Sequence, residues 1–176
     1  REAIQEELRA VRAMAPELKR AQPLTVALAD THPGNFLIDA GGTATFVDLE
    51  KVHVGSPAID LAHATLPTST LWHPDVAAIL TRAQTEAFHD AYLRLVGEEK
   101  AEALRPWLLP MRRLTWLRTT LFMARWRVET RSVRDPKNTS QWSDAGLDPK
   151  MKRHIDGTVD RCFSPDFIRE VRAEWI

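Results

Sequence analysis

Residues 28–51 read LADTHPGNFLIDAGGTATFVDLEK, from Leu28 to Lys51. Short β-branched and aromatic runs flank Gly41-Gly42, a pattern that predicts a β-hairpin. If the two glycines are the central residues of a type I′ turn, where both need positive φ, the register follows by counting outward. Ala40 then faces Thr43, Leu37 faces Phe46, Phe36 faces Val47, and Asn35 faces Asp48. Directly opposed residues carry Cβ atoms about 4.5–5.5 Å apart on one face. That spacing would let the amide oxygen of Asn35 and the carboxylate of Asp48 share one Mg²⁺, a hard ion that takes oxygen ligands and keeps room for phosphates and water. The plainer alternative makes both residues ordinary polar strand ends.

Asp30 precedes Asn35 by five positions, with Thr31-His32-Pro33-Gly34 between them. Pro33 fixes one dihedral and Gly34 tolerates a bend, so the chain can turn and bring Asp30 beside the metal pair. This D-x-x-x-x-N spacing matches the catalytic loop of kinase-like enzymes, in which the Asp orients or deprotonates the acceptor hydroxyl and the Asn holds magnesium.

On LADTHPGNFLID, FVDLEK and GSPAIDLA, within residues 28–62, the sequence resembles the aminoglycoside phosphotransferase and choline kinase group of the protein-kinase-like superfamily. The first segment is similar to that family's HGDxHPGN catalytic loop. The resemblance implies Asp30 as catalytic base or hydroxyl-orienting residue, and Asn35 and Asp48 as magnesium ligands. It further implies that Asp60 braces the loop by accepting its backbone donors. His32 would sit near the nucleotide phosphates, or else pack the loop. Glu50 would be an occasional metal ligand, or else a solvated strand-end acid. The implied cofactors are Mg²⁺ and ATP or GTP, and the implied substrate is a small molecule with a free hydroxyl. Leu28 and Ala29 stand where the family usually carries His and Gly, a departure that bears on catalytic vigour more than on fold.

The rest of the chain predicts helices. Ile4, Leu8, Val11, Ala15 and Leu18 recur at helical spacing over residues 2–20, with Pro16 as a kink or restart. Ser56-Pro57 opens a short helix, Pro74-Asp75 a second that stops at Gly97, and residues 98–134 a third containing Pro106 and Pro110. Loop composition fills 135–148, and Asp148-Pro149 and Ser164-Pro165 start two closing helices. The expected fold is therefore mainly α (α+β). It is a kinase-like C-terminal lobe over residues 1–176: a helical bundle carrying a catalytic loop and a short hairpin.

A nucleotide kinase also needs a phosphate-gripping Lys and a loop over the phosphates. Neither GxGxxG nor GxxxxGK[ST] occurs among the seven glycines. The expectation is that an N-terminal lobe lies outside this sequence, that it is a partner of the lobe described here, and that the chain alone is a poor catalyst.

Bulk properties narrow the partners. With 24 basic and 24 acidic residues the net charge is zero, which gives no global attraction to nucleic acid or an anionic membrane. The single Cys162 forms no internal disulfide and no apolar run is of membrane-spanning length, so a cytoplasmic protein is expected. Between Arg105 and Arg134 eight arginines face the single acid Glu129. This predicts either a neutral or anionic acceptor, a face that meets the other lobe, or a solvated helix face with Trp116, Leu117 and Phe122 turned inward. Trp107, Trp116 and Trp126 read as core. Two other functions fit the same residues: a catalytically weak pseudokinase or binding scaffold, and a metal hydrolase built from Asp30, His32, Asp48 and Glu50.

Overall fold

The computed structural model describes residues 2–14, 21–133, 135 and 137–175. In chain order the elements are α1 (Glu2–Met14), β1 (Thr25–Ala27), β2 (Phe36–Ile38), β3 (Ala44–Phe46), β4 (His53–Gly55), α2 (Pro57–Thr65), α3 (Pro67–Thr70), α4 (Arg82–Val96), α5 (Glu98–Arg131), α6 (Pro149–Cys162) and α7 (Pro165–Ala173). The chain is mainly helical, as expected, with two small antiparallel sheets, β1 with β4 and β2 with β3. The first was not foreseen: Thr25 pairs with Gly55, Val26 with Val54 and Ala27 with His53. It closes residues 28–52 into a loop whose two ends are tied together. The expected first helix is observed to Met14; the segment holding Ala15, Pro16 and Leu18 lies outside the described residues.

Helix α5 organises the molecule. It runs unbroken through Pro106 and Pro110, although each proline removes an i→i−4 hydrogen bond. Along its length it spans two apolar cores. One gathers Trp116, Leu117 and Met123 with Leu66, Ile155, Val159 and Phe167. The other gathers Leu104, Trp107 and Met111 with Ala58, Leu61 and Leu93. Helix α2 packs along α5 and contributes to both cores, which fixes the loop that α2 carries at its side. Trp107 and Trp116 are buried, as predicted, and Trp126 is half-buried at the edge of the first core.

Caps set most helix ends. Ser56, Asp148 and Ser164 each accept a backbone N–H of the helix they precede, and Gly97 ends α4 with φ of +84°. One expected start is wrong. No helix begins at Pro74-Asp75; residues 71–81 run through turns, with Ala78 N donating to Thr70 O. The helix starts at Arg82, because Thr81 and Gln84 form a reciprocal capping box that satisfies two donors at once.

The hairpin register also needs correction. Phe36 faces Phe46, Leu37 faces Thr45 and Ile38 faces Ala44. Only Gly42, not Gly41, has positive φ. Gly42 N donates to Asp39 O at 3.0 Å, and the Asp39 carboxylate accepts from Gly41 N and Thr43 N, both at 2.8 Å. These bonds select a three-residue loop in which a left-handed glycine follows the turn, rather than the two-residue turn. Asn35 O therefore accepts from Val47 N, and Asp48 lies one residue past the expected pairing.

Candidate active site

The loop from Leu28 to Asn35 is held from below by α2. Asp60, in its first turn, accepts Leu28 N at 2.7 Å and Ala29 N at 2.8 Å with its two carboxylate oxygens, while Thr31 Oγ1 donates to Asp60 O at 2.9 Å. The bracing role implied for Asp60 is thus visible in the hydrogen bonds. Ala29 between them has φ of +64°, a left-handed conformation that costs an L-residue about 1–2 kcal/mol. That backbone requirement accounts for a glycine being usual at this position. Arg118 of α5 closes the brace by donating from Nη2 to Ala29 O at 3.2 Å.

Beyond Ala29 the loop turns at Pro33–Asn35, capped by His32, whose Nδ1 accepts from Gly34 N at 3.1 Å. A Cβ at Gly34 would lie 2.9 Å from the His32 ring and 3.2 Å from His73 Cβ, so any larger residue would push the His32 ring out of its capping position. Asn35 is buried, and its Nδ2 donates to Asp30 O at 3.0 Å. This bond, rather than the hairpin, fixes Asn35 against Asp30.

Asp30 lines a cleft of about 280 Å³ with His32, Lys51, His63, Trp72, Arg118 and Phe122. Its Oδ2 accepts from Lys51 Nζ at 2.5 Å, and its Oδ1 lies 3.9 Å from His63 Nε2. The hydrogen bond to Asp30 raises the Lys51 pKa above the ordinary lysine value. Burial pushes His63 down to about 4, against the pull of Asp30 and with a further push from Arg118, so its imidazole is neutral at pH 7. Burial lowers His32 too, again against Asp30.

The hairpin contributes Asp48, whose charge acts on both His32 and Lys51. Asp48 is itself left-handed, with φ of +64°, and makes no side-chain cap to the turn that follows; Asp tolerates this conformation better than most residues. Glu50 is exposed on that turn, and its charge also reaches Lys51. Among the described residues no three His, Cys, Asp or Glu side chains gather as a metal-holding group. The corrected register removes the direct opposition of Asn35 and Asp48; taken singly, Asn35, with its Nδ2 committed to Asp30 O, has Oδ1 to offer a hard cation, and the Asp48 carboxylate is exposed.

The sequence alone pointed to no role for Lys51, His63 or Trp72, and to Arg118 only as one of eight arginines. His63 was within reach, because it follows Asp60 by one helical turn and so shares its face. Phe122, expected to turn inward, is 45% exposed at the cleft instead. The arginine-rich stretch is not a uniform solvated face, because several of its members are paired within the fold. Arg113 holds Glu7, Arg125 holds Glu129, and Arg127 and Arg131 hold Asp160. Arg112 is buried against Thr65 Oγ1 at 2.6 Å. Arg134 lies outside the described residues. Among the described arginines of this stretch, only Arg118 lines the cleft.

A family model described as "APH: Phosphotransferase enzyme family" matches residues 1–107, which include the whole loop, the hairpin and α2. No curated protein and no solved structure matches the chain.

Proposed function

Because the chain belongs to the phosphotransferase enzyme family, we propose that it transfers the γ-phosphoryl group of ATP or GTP to a hydroxyl of a small molecule. In this reading residues 1–176 form the kinase-like C-terminal lobe, and a second lobe supplies the grip on the nucleotide phosphates. The observation that carries it is Asp30: a carboxylate at the floor of a cleft, fixed through its own backbone by Asn35 and through the preceding residues by Asp60.

The acceptor oxygen attacks the γ-phosphorus as the bond to the β-phosphate oxygen breaks, and the nucleoside diphosphate leaves. Asp30 orients the hydroxyl and receives its proton. Lys51 must yield the Oδ2 position, which its exposed side chain permits. His63, neutral and 3.9 Å from Oδ1, borders the path of the incoming hydroxyl. Asn35 and Asp48 would hold magnesium, with Glu50 at the margin and His32 towards the phosphates. A magnesium ion there would neutralise charge on the β- and γ-oxygens. Catalysis of this kind rests on positioning and on charge, which is why a rigidly braced loop matters.

A binding scaffold is the second reading, favoured by the Lys51 contact that already occupies Asp30. The test is transfer of labelled γ-phosphate by the full-length protein to a panel of small hydroxyl compounds. Acceptor-dependent label transfer, abolished by magnesium chelation, supports the enzyme. Magnesium-dependent nucleotide binding without transfer to any acceptor overturns it in favour of the scaffold.

A further inference from the structure

The polar lining of the cleft is largely satisfied from within. Thr68 Oγ1 and Thr119 Oγ1 lie 2.7 Å apart, Ser69 Oγ lies 3.1 Å from His63 Nδ1, and Asp30 is held by Lys51. Groups already paired gain little by binding a ligand, so they shape the site more than they select its occupant. Arg118 is the exception. Arg113, Arg125, Arg127 and Arg131 on the same helix each have a carboxylate within 4.0 Å, whereas Arg118 has none among the described residues. Its one hydrogen bond goes to Ala29 O, and a guanidinium carries five donors in a planar fork that matches a carboxylate. His32 and His63, both with lowered pKa, add no positive charge at pH 7.

One turn further along α5 the lining becomes aromatic, since Phe122 follows Arg118 by four residues. Trp72 and Phe122 meet edge to face at 5.6 Å and both line the cleft, with Phe122 still 45% exposed. Such a wall gains by covering an apolar ring. The volume of about 280 Å³ falls just below the roughly 300–1,000 Å³ of sites for drug-sized ligands.

We propose that the acceptor is a small hydroxy acid with an apolar ring. Its carboxylate pairs with Arg118, its ring lies against Trp72 and Phe122, and its hydroxyl reaches Asp30. This rests on the phosphotransferase reading above. An acceptor whose charge next to the ring is positive would face Arg118 directly.

Three matched probes test the proposal with the full-length protein and Mg-nucleotide: 2-hydroxy-3-phenylpropanoate, its amide, and 1-amino-3-phenylpropan-2-ol. Binding is read by calorimetry beside a non-hydrolysable nucleotide, and turnover by nucleoside diphosphate release. The acid should bind about tenfold or more tighter than the amide, with the amine weakest. Arg118→Gln should bring the acid-to-amide affinity ratio down to about one. Arg118→Lys, which keeps the charge, should restore part of it. Unchanged thermal stability would show that each variant is folded; if Arg118→Gln unfolds, the acid-to-amide ratio of the native protein decides alone. Equal binding of acid and amide, preference for the amine, or binding of none of the three overturns the proposal. Acid-selective binding without turnover would support the cleft's selectivity and overturn phosphotransfer. Turnover indifferent to acceptor charge would do the reverse.

Discussion

At the junction of α1, α5 and α7 the carboxylate of Glu7 is fully buried and receives Arg113 at 2.8 and 2.9 Å, Arg172 at 3.1 Å and Trp175 at 3.4 Å. In the cleft Asp30 has a side chain 18% exposed and a single lysine at 2.5 Å, itself 53% exposed. Burial alone would raise the Glu7 pKa, yet Arg113, Arg172 and Trp175 hold it below the ordinary value. Both carboxylates face cations, but only one can change partner without dismantling the fold. The difference separates an anchor from a candidate site: Glu7 ties α1 and α7 to α5, while Asp30 keeps one contact, to an exposed lysine.

The largest effect should come from breaking the anchor. Glu7→Ala leaves Arg113 and Arg172 facing a buried gap and should cost about 3–5 kcal/mol in denaturant unfolding. A loss below about 1 kcal/mol would erase the contrast. Because the folded Glu7 pKa is depressed, the stability it provides is present above its unfolded value of 4.5 and is lost as pH falls through the lower folded value.

Next is the cleft's own pH dependence. His63 falls from 6.5 to about 4 on folding, which corresponds to stability on the order of 3 kcal/mol that is present above pH 6.5 and lost as pH falls towards 4. His63→Asn should flatten the unfolding free energy across that window, and an unchanged slope would contradict the burial described here. His89, also pushed by burial to about 4, should leave a residual slope.

Smaller effects sharpen the comparison further. Ala29→Gly relieves the left-handed φ of +64° and should stabilise the protein by about 1 kcal/mol, the strain outweighing glycine's added freedom in the unfolded chain. A destabilised variant would mean that the loop is unstrained. Lys51→Ala should change stability by less than about 1 kcal/mol, as expected for a half-exposed ion pair, in contrast to the anchor.

Much of this was legible in the sequence, and where it was not the reason is physical. The helix caps at Ser56, Asp148 and Ser164 are local hydrogen bonds between neighbouring residues, and they were read correctly. The hairpin was legible, but its register was not, because a double glycine is compatible with both a two-residue and a three-residue loop. The choice fell to the Asp39 carboxylate, which binds Gly41 N and Thr43 N. The start of α4 was misplaced because Pro74-Asp75 and Thr81-Arg82 both resemble helix openings, and only the second has a reciprocal partner in Gln84. Asp60 was assigned its bracing role through resemblance, and the two hydrogen bonds to the loop bear it out. Lys51 was invisible and Arg118 could not be singled out from the other arginines, since each reaches its partner across the fold, Lys51 from the turn after the hairpin and Arg118 from α5. Composition also does not reveal that Glu7, Glu129 and Asp160 pair with four of the eight arginines.

On the proposed mechanism Asp30 serves chemistry while contributing little to the fold. Its most direct test is Asp30→Asn in the full-length protein, with unfolding free energy and acceptor-dependent nucleotide turnover measured on one preparation. The account predicts stability within about 1 kcal/mol of the native protein and turnover reduced by about 10²–10⁴. Turnover retained at the native level, or lost only in step with a collapse of stability, would contradict it.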